Sequence, residues 1–252
     1  MKKIACAVSC ALLFGVGAHS QTLTPESEIY DGFETKDLSG IWSTSRFEPG
    51  TVVMQSEVVR AGKSAVKITI HQGDRYDAAD PGTGTKENER DELLERKDLW
   101  AEEEKSYSYA FSIFIPKDFP IVSTRLVLAS WKQWCPEKCT PENPVVALRY
   151  VSGVLSVTLQ TTKKNVTLYR TQEDLKGKWL DFLFHLRFAR TENGFVNGWL
   201  NGRQIVNLAG RTAYTGGGYE PRSRFYFKMG LYRDRMSKPM TVYFDEYRKR
   251  PL

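Results

Sequence analysis

The run FYFKMGLYRD, Phe225 to Asp234, decides the fold class because it alternates with a period of two. Phe225, Phe227, Met229 and Leu231 fall on one side and Tyr226, Lys228, Gly230 and Tyr232 on the other, as in a strand with one face in a core. The polar half is unusual. An ordinary half-buried strand shows water a mixture of Thr, Ser, Lys and Glu, whereas this one sets an ammonium and two phenols around a residue without a side chain. Such a surface suits a flat, anionic ring.

Similar alternation recurs on both sides of this run. Ser64 to His71 alternates; Tyr107 to Ile115 alternates and stops at Pro116; Thr124 to Ala129 is apolar; Val145 to Gln160 reads as two strands turning at Ser152-Gly153. Leu180 to Phe188 puts Phe182, Phe184, Leu186 and Phe188 on one face. Phe195 to Leu208 reads as a hairpin with Asn201-Gly202 at its turn, and Met240 to Arg248 as the closing strand. Only Glu87 to Lys105 admits a helix, and its start reads better as a strand. Short strands with frequent turns and one apolar face each predict an all-β sandwich, with the polar segment Gln72 to Asn88 looping over one face. The 252 residues contain no repeat, low-complexity tract or linker, and a 41% hydrophobic share supports a real core, so one domain is expected.

The N-terminus reads differently from the rest. Lys2 and Lys3, the apolar run Ile4 to Gly17, and the small residues Ala18 and Ser20 make residues 1–20 a secretory signal, leaving a mature domain of residues 21–252 in the periplasm or outside the cell. The apolar run is shorter than the ~20 residues a span needs, and no later segment approaches one. Loss of Lys2 and Lys3 lowers the formal net charge from +6 to +4. The cysteines that remain, Cys135 and Cys139 in WCPEKC, favour a local disulfide; a zinc site would need partners that the neighbourhood lacks. Dispersed basicity without a recognition motif argues against nucleic acid. It fits an acidic polysaccharide or a plain solubility role, and a monomer is expected.

Four pieces of the chain then carry a family likeness: YDGFE at Tyr30 to Glu34, Arg-x-Glu-Leu at Arg90 to Leu93, the strand leading into WKQW, and the closing pair YFKMGLY and VYFDEYR. In this order they resemble the jelly-roll polysaccharide lyases, in particular the heparin lyase I-like and glucuronan lyase group, and more distantly the alginate lyases. The resemblance implies a β-jelly-roll (concanavalin-like) sandwich of two antiparallel sheets. It also implies β-elimination at a uronic acid, with no metal or organic cofactor required. That reaction needs the C6 carboxylate neutralised, a base for the C5 proton and an acid for the departing O4.

The likeness assigns roles by position. Tyr232 matches the terminal Tyr of the motif and is expected to transfer the proton, its phenolate favoured by Lys228, Arg233 and Arg235. Lys228, ~13 Å earlier along an extended strand, is expected to contact substrate without touching Tyr232. The plainer alternative is an amphipathic Tyr and a snorkelling Lys on a sheet surface. Arg90 is expected to hold the uronate carboxylate and Glu92 to orient Arg90, unless RDELLERK is merely a solvated edge. Tyr226 and Arg149 are further candidate contacts.

The sequence departs from the family at Ser130-Trp131-Lys132, where related lyases carry Gln-aromatic-His. Lys132 then either neutralises the carboxylate or accepts a proton, and Gln133 stands in for the missing amide if the register shifts. His71 and His185 are the histidines left after export. His185 is either a cleft-lining catalytic residue or a structural one, and His71 would enter from the rim. Glu34 and Asp245 occupy places where some sandwiches bind structural calcium, which two separated carboxylates do not establish. The paired-carboxylate pattern of glycoside hydrolases, a Gly-x-Ser-x-Gly elbow and a His-Glu-x-x-His helix are all missing. The competing class is a carbohydrate-binding sandwich without catalysis.

Overall fold

A computed structural model describes residues 23–75 and 87–252. The expected signal and most of the Gln72 to Asn88 segment lie outside the described residues. Sixteen strands are formed: β1 (Ile29–Asp31), β2 (Trp42–Ser43), β3 (Val52–Gln55), β4 (Ala65–Ile70), β5 (Asn88–Glu95), β6 (Ala101–Glu102), β7 (Ser106–Phe114), β8 (Leu126–Gln133), β9 (Val146–Val151), β10 (Val154–Gln160), β11 (Asn165–Thr171), β12 (Trp179–Arg187), β13 (Phe195–Leu200), β14 (Arg203–Ala209), β15 (Arg224–Asp234) and β16 (Met240–Pro251). Two short 3-10 turns, Thr44–Arg46 and Lys97–Leu99, are the helical elements among the described residues.

The strands make two eight-stranded antiparallel sheets. The first runs β14-β13-β12-β7-β16-β4-β3, with β1 on β16; the second runs β11-β10-β9-β8-β15-β5-β2, with β6 on β15. The sequential strands β8, β9, β10 and β11 form a meander on one side of β15, so the motif strand occupies the interior of the second sheet, with β5 on its other side. This is the predicted jelly roll.

The apolar half of each strand meets in one core. Phe225, Phe227, Met229 and Leu231 are fully buried, facing Phe111, Phe182 and Phe184 of the opposite sheet. Phe227 sits with ring centroids 4.9 Å from Trp131, 5.3 Å from Phe111 and 5.5 Å from Tyr109 and Tyr247. Burying such a side chain contributes ~1.5–3 kcal/mol, which fixes register, since a one-residue slip would expose the whole stripe. Both residues of the Asn201-Gly202 turn have positive φ, +50° and +77°, as the sequence predicts for that hairpin.

β15 is not regular. Met229 pairs with Ala129 but Tyr232 pairs with Val127, so Gly230 and Leu231 oppose the single residue Leu128. Gly230 has φ +143°, and a Cβ there would lie 2.3 Å from the Asp91 carbonyl oxygen and 2.7 Å from Glu92 Cα. The bulge therefore needs glycine.

Candidate active site

The outward side of β15 and its neighbours gathers most of the residues singled out from sequence. Tyr232 pairs with Arg90 and Gly230 with Glu92 on β5, while Tyr226 pairs with Lys132 and Lys228 with Ser130 on β8. Val127, opposite Tyr232, pairs in turn with Arg149 on β9. Directly opposed residues share a face, so the register alone assembles Arg90, Glu92, Ser130, Lys132, Arg149, Tyr226, Lys228 and Tyr232 on one surface.

The Tyr232 ring is ringed by cations. The guanidinium carbon of Arg90 is 5.0 Å from its centroid, that of Arg125 is 5.4 Å away, and Lys228 Nζ is 5.6 Å away. Arg125 Nη1 donates a 2.8 Å hydrogen bond to the phenol oxygen and a second one to Asn88 Oδ1. Asp234 anchors Arg125, accepting its backbone N–H at 3.2 Å and lying 3.4 Å from its Nε. Sequence reasoning missed Arg125 because it lies inside the Thr124 to Ala129 run, which reads only as apolar, one residue before β8 begins.

The closeness of Lys228 corrects the expected ~13 Å separation. The two backbones stay four residues apart on β15, but the Lys228 side chain reaches along the face to the Tyr232 ring. The other expected neighbours are elsewhere. Arg233 points to the core side, fully buried, with its Nη2 2.8 Å from Glu89, and Arg235 is an exposed partner of Glu87.

Lys228 is 7% exposed and donates to Glu92 Oε2 at 2.5 Å. Burial lowers its pKa to about 8 with help from the positive charges of Arg90 and Lys132, while Glu92 opposes the fall. Glu92 therefore serves Lys228, not Arg90 as expected. Burial and the nearby Arg125 likewise lower the Arg149 pKa, and Arg149 Nε donates to Thr158 Oγ1 at 3.2 Å. Ser130 Oγ, beside Lys228 on the same face, is buried and has no hydrogen-bond partner among the described residues. Burial raises the Tyr226 pKa, keeping that phenol protonated.

Three other candidates are not brought together with this group. Gln133 pairs with Phe225 on the core side and is fully buried; its amide donates to Ser223 Oγ and accepts from the Tyr214 N–H. His185 is on β12 of the opposite sheet, on its outer face, 4.9 Å from the Trp199 ring, with its pKa lowered by burial and by Arg250. His71 is exposed at the end of β4 and bonds Asp74 Oδ2 at 3.2 Å; the Asp74 carbonyl accepts the Arg90 N–H, so His71 sits beside β5 at the rim.

No three of the described His, Cys, Asp and Glu residues are grouped so as to hold a metal ion. Glu34 accepts N–H donors from Lys63 and Ser64, and Asp245 accepts them from Arg60, Ala61 and Glu246. Amide hydrogens thus occupy some of the oxygen lone pairs that a calcium ion would need. Cys135 and Cys139 form a disulfide. No described helix is long and apolar enough to cross a membrane.

Comparison with solved structures agrees with the fold. The endo-β-1,4-glucuronan lyase from the fungus Trichoderma reesei superposes with a TM-score of 0.67 at 17% identity, covering 89% of this chain and 95% of that one. Alginate lyase A1-II', a member of polysaccharide lyase family 7, gives 0.56 at 13% identity over 81% of this chain and 84% of its own. The cellulose induced protein Cip1 gives 0.55 at 14% identity over 88% and 96%. No curated protein matches the sequence. The sequence profile of the polysaccharide lyase family matches residues 33–248, which takes in every site residue described above, and the chain belongs to that family.

Proposed function

We propose that this lyase is exported and cleaves a uronate-containing polysaccharide by β-elimination, with the Tyr232 phenol transferring the proton. The observation that carries this reading is the cationic ring at Tyr232, with Arg125 donating to its oxygen and Arg90 and Lys228 against its ring. A cationic donor on a phenol oxygen stabilises charge there, which is what a phenolate base requires.

In this reading a uronate lies across the groove with its C6 carboxylate toward Arg90, Arg149 and Lys132. Their positive charge disperses the negative charge that develops when the C5 proton leaves. The Tyr232 oxygen takes that proton, the C4–O4 bond breaks as the C4–C5 double bond forms, and the departing O4 receives a proton from the same phenol. Lys228, held by Glu92, adds charge beneath the sugar, and the Ser130 hydroxyl has hydrogen-bonding capacity to offer a substrate oxygen. The glucuronan and alginate lyases that share the fold act on acidic polysaccharides, which suits so cationic a floor. The signal-like residues 1–20 and the Cys135–Cys139 disulfide support export.

The test is incubation with glucuronan, alginate, heparin and hyaluronan, followed by the ultraviolet absorbance of the unsaturated uronate that elimination creates. A rise on at least one polymer supports the reading. Binding to the panel without any rise overturns it and leaves a carbohydrate-binding sandwich.

A further inference from the structure

The face that carries Tyr232 and Lys228 does not end at Tyr226. Its ring is 4.9 Å from that of Trp100, which is in turn 5.4 Å from Trp134. Tyr226 is the cross-strand partner of Lys132 on the outward side of the sheet, and Trp134 follows Lys132 by two residues, so the three rings continue the same face.

The members of this row differ in exposure in an instructive way. Trp100 is buried and its indole N–H donates to the Glu95 carbonyl at 2.8 Å, so it acts as a fixed bracket. Trp134 is 43% exposed, an unusual state for the largest apolar side chain. It is also held firmly. Its backbone N–H donates to the Arg224 carbonyl at 2.7 Å, it directly precedes the Cys135–Cys139 disulfide, and Trp100 supports its ring from the side. Lys97 Nζ lies 5.5 Å from the Trp134 ring centroid. A rigid, exposed indole with an ammonium beside it offers an apolar face for the C–H side of a pyranose and a charge for a carboxylate on that sugar.

We propose that Trp134, bracketed by Trp100 and served by Lys97, forms a distal subsite for an acidic sugar of the chain whose cleavage occurs at Tyr232. Tyr226 and Tyr232 are six residues apart on β15, ~20 Å at the rise of an extended strand, less the bend at Gly230. Trp134 lies beyond Tyr226, so only a chain several sugars long spans both points. The disulfide then has a role in recognition, since it fixes the residue that the sugar meets. This inference rests on the lyase reading for the position of cleavage, but the subsite itself can be tested apart from it.

The experiment compares Trp134→Ala and Trp134→Phe with the wild type on glucuronan and alginate, each as polymer and as size-fractionated oligosaccharides. In Trp134→Ala, kcat/KM on the cleaved polymer is expected to fall about tenfold more than on its shortest cleaved oligosaccharide, mainly through KM, the scale of one aromatic contact. Trp134→Phe keeps a flat ring and should recover part of that loss. Equal losses on long and short substrates overturn the subsite and reduce Trp134 to support of its loop. Tryptophan emission read during titration with non-cleavable or uncleaved oligosaccharides separates the two readings. If the wild type cuts nothing, the lyase reading fails, yet quenching by long oligosaccharides that disappears in Trp134→Phe still upholds the subsite. Quenching that persists unchanged in Trp134→Phe, or none in the wild type, overturns it.

Discussion

β12 and β15 are built on the same sequence rule and lead to opposite surfaces. Along β12 buried Leu180, Phe182, Phe184 and Leu186 alternate with half-exposed Trp179, Asp181, Leu183, His185 and Arg187. Its ions stay wet: Asp181 meets Arg60 at 2.8 Å with both side chains 43% exposed. Along β15 the core half is apolar from Phe225 to Leu231 and ends at buried Arg233, and Lys228 and Gly230 of the other half are buried as well. Its ions are dry, with Lys228 and Glu92 in contact at 8% and 3% side-chain exposure. Burying charge in this way is costly, and a fold needs only the β12 arrangement. Buried pairs also stand on the core side, Arg233 with Glu89 and Lys249 with Glu95, so what sets the outward face of β15 apart is that its buried charge borders the cationic surface around Tyr232.

The largest effect should come from removing one oxygen from the dry face. Tyr232→Phe is expected to lower kcat on the cleaved polymer ~10³-fold, within the range for a lost acid–base group, while substrate affinity stays within about threefold. Initial rates and a binding titration check both. Near-normal turnover would move proton transfer to Lys132 or Lys228 and leave Tyr232 as a floor. Next in size is a test of the bulge that gives the dry face its geometry. Gly230→Ala places a methyl against the backbone of Asp91 and Glu92 at positive φ, and should destabilise the fold by ~3 kcal/mol or more in denaturant unfolding. Gly198→Ala on the other sheet meets side chains rather than backbone, the Phe184 ring edge at 2.9 Å and Val206 Cβ at 3.4 Å, and should cost ~1–2 kcal/mol. Equal costs would mean that the bulge is not a rigid element.

The sequence made one of these faces far more legible than the other. Strands with a full apolar stripe, such as β4, β7, β12 and β15, were predictable to within a residue or two at most ends because burial of one face imposes the period. β11 escaped notice because it is an edge strand with mostly exposed residues and no stripe to read. The two-residue strands β2 and β6 are too short to show any period. Within the site, Arg90, Lys132, Lys228 and Tyr232 could be named because motif and alternation put them on one face. The pairing of Glu92 with Lys228 could not, since it depends on the long-range register of β5 on β15, which sets Glu92 opposite Gly230 and diagonal to Lys228. Gln133 and His185 show the reverse limit. Both are polar residues on strands, but pairing and sheet membership, set by long-range contacts, send one to the core and the other to the far surface.

The ion pairs on the two faces should respond unequally to loss of a carboxylate. Glu92→Gln leaves the Lys228 ammonium buried without its counter-charge, and is expected to cost ~3 kcal/mol of stability or to drive Lys228 to its neutral form. Asp181→Asn opens a wet pair and should cost ~1 kcal/mol or less. Matched unfolding curves at neutral pH separate these outcomes. A small loss for Glu92→Gln at neutral pH that grows as the pH is lowered would show that Lys228 had shed its proton.

The gentlest probe is pH, because it acts on Lys228 and His185 without altering either. Burial and the neighbouring cations lower the Lys228 pKa to about 8, so its ammonium is fully present below that value and is lost as the pH rises through it. A uronate carboxylate stays ionised throughout, since its ordinary pKa is near 4. Attraction between the two therefore weakens on the alkaline side, and KM for the cleaved polymer should rise severalfold between roughly pH 7 and 9. Lys228→Arg keeps its charge across this range and should flatten the rise. His185 changes charge on the acidic side, its pKa lowered from the ordinary value, and it lies on the wet face with the sandwich between it and Tyr232. His185→Ala should thus leave both kcat and the alkaline KM profile within about twofold of wild type. If that variant shifted the profile while Lys228→Arg did not, the two faces would have to exchange roles, and the dry ion pair would be a feature of folding after all.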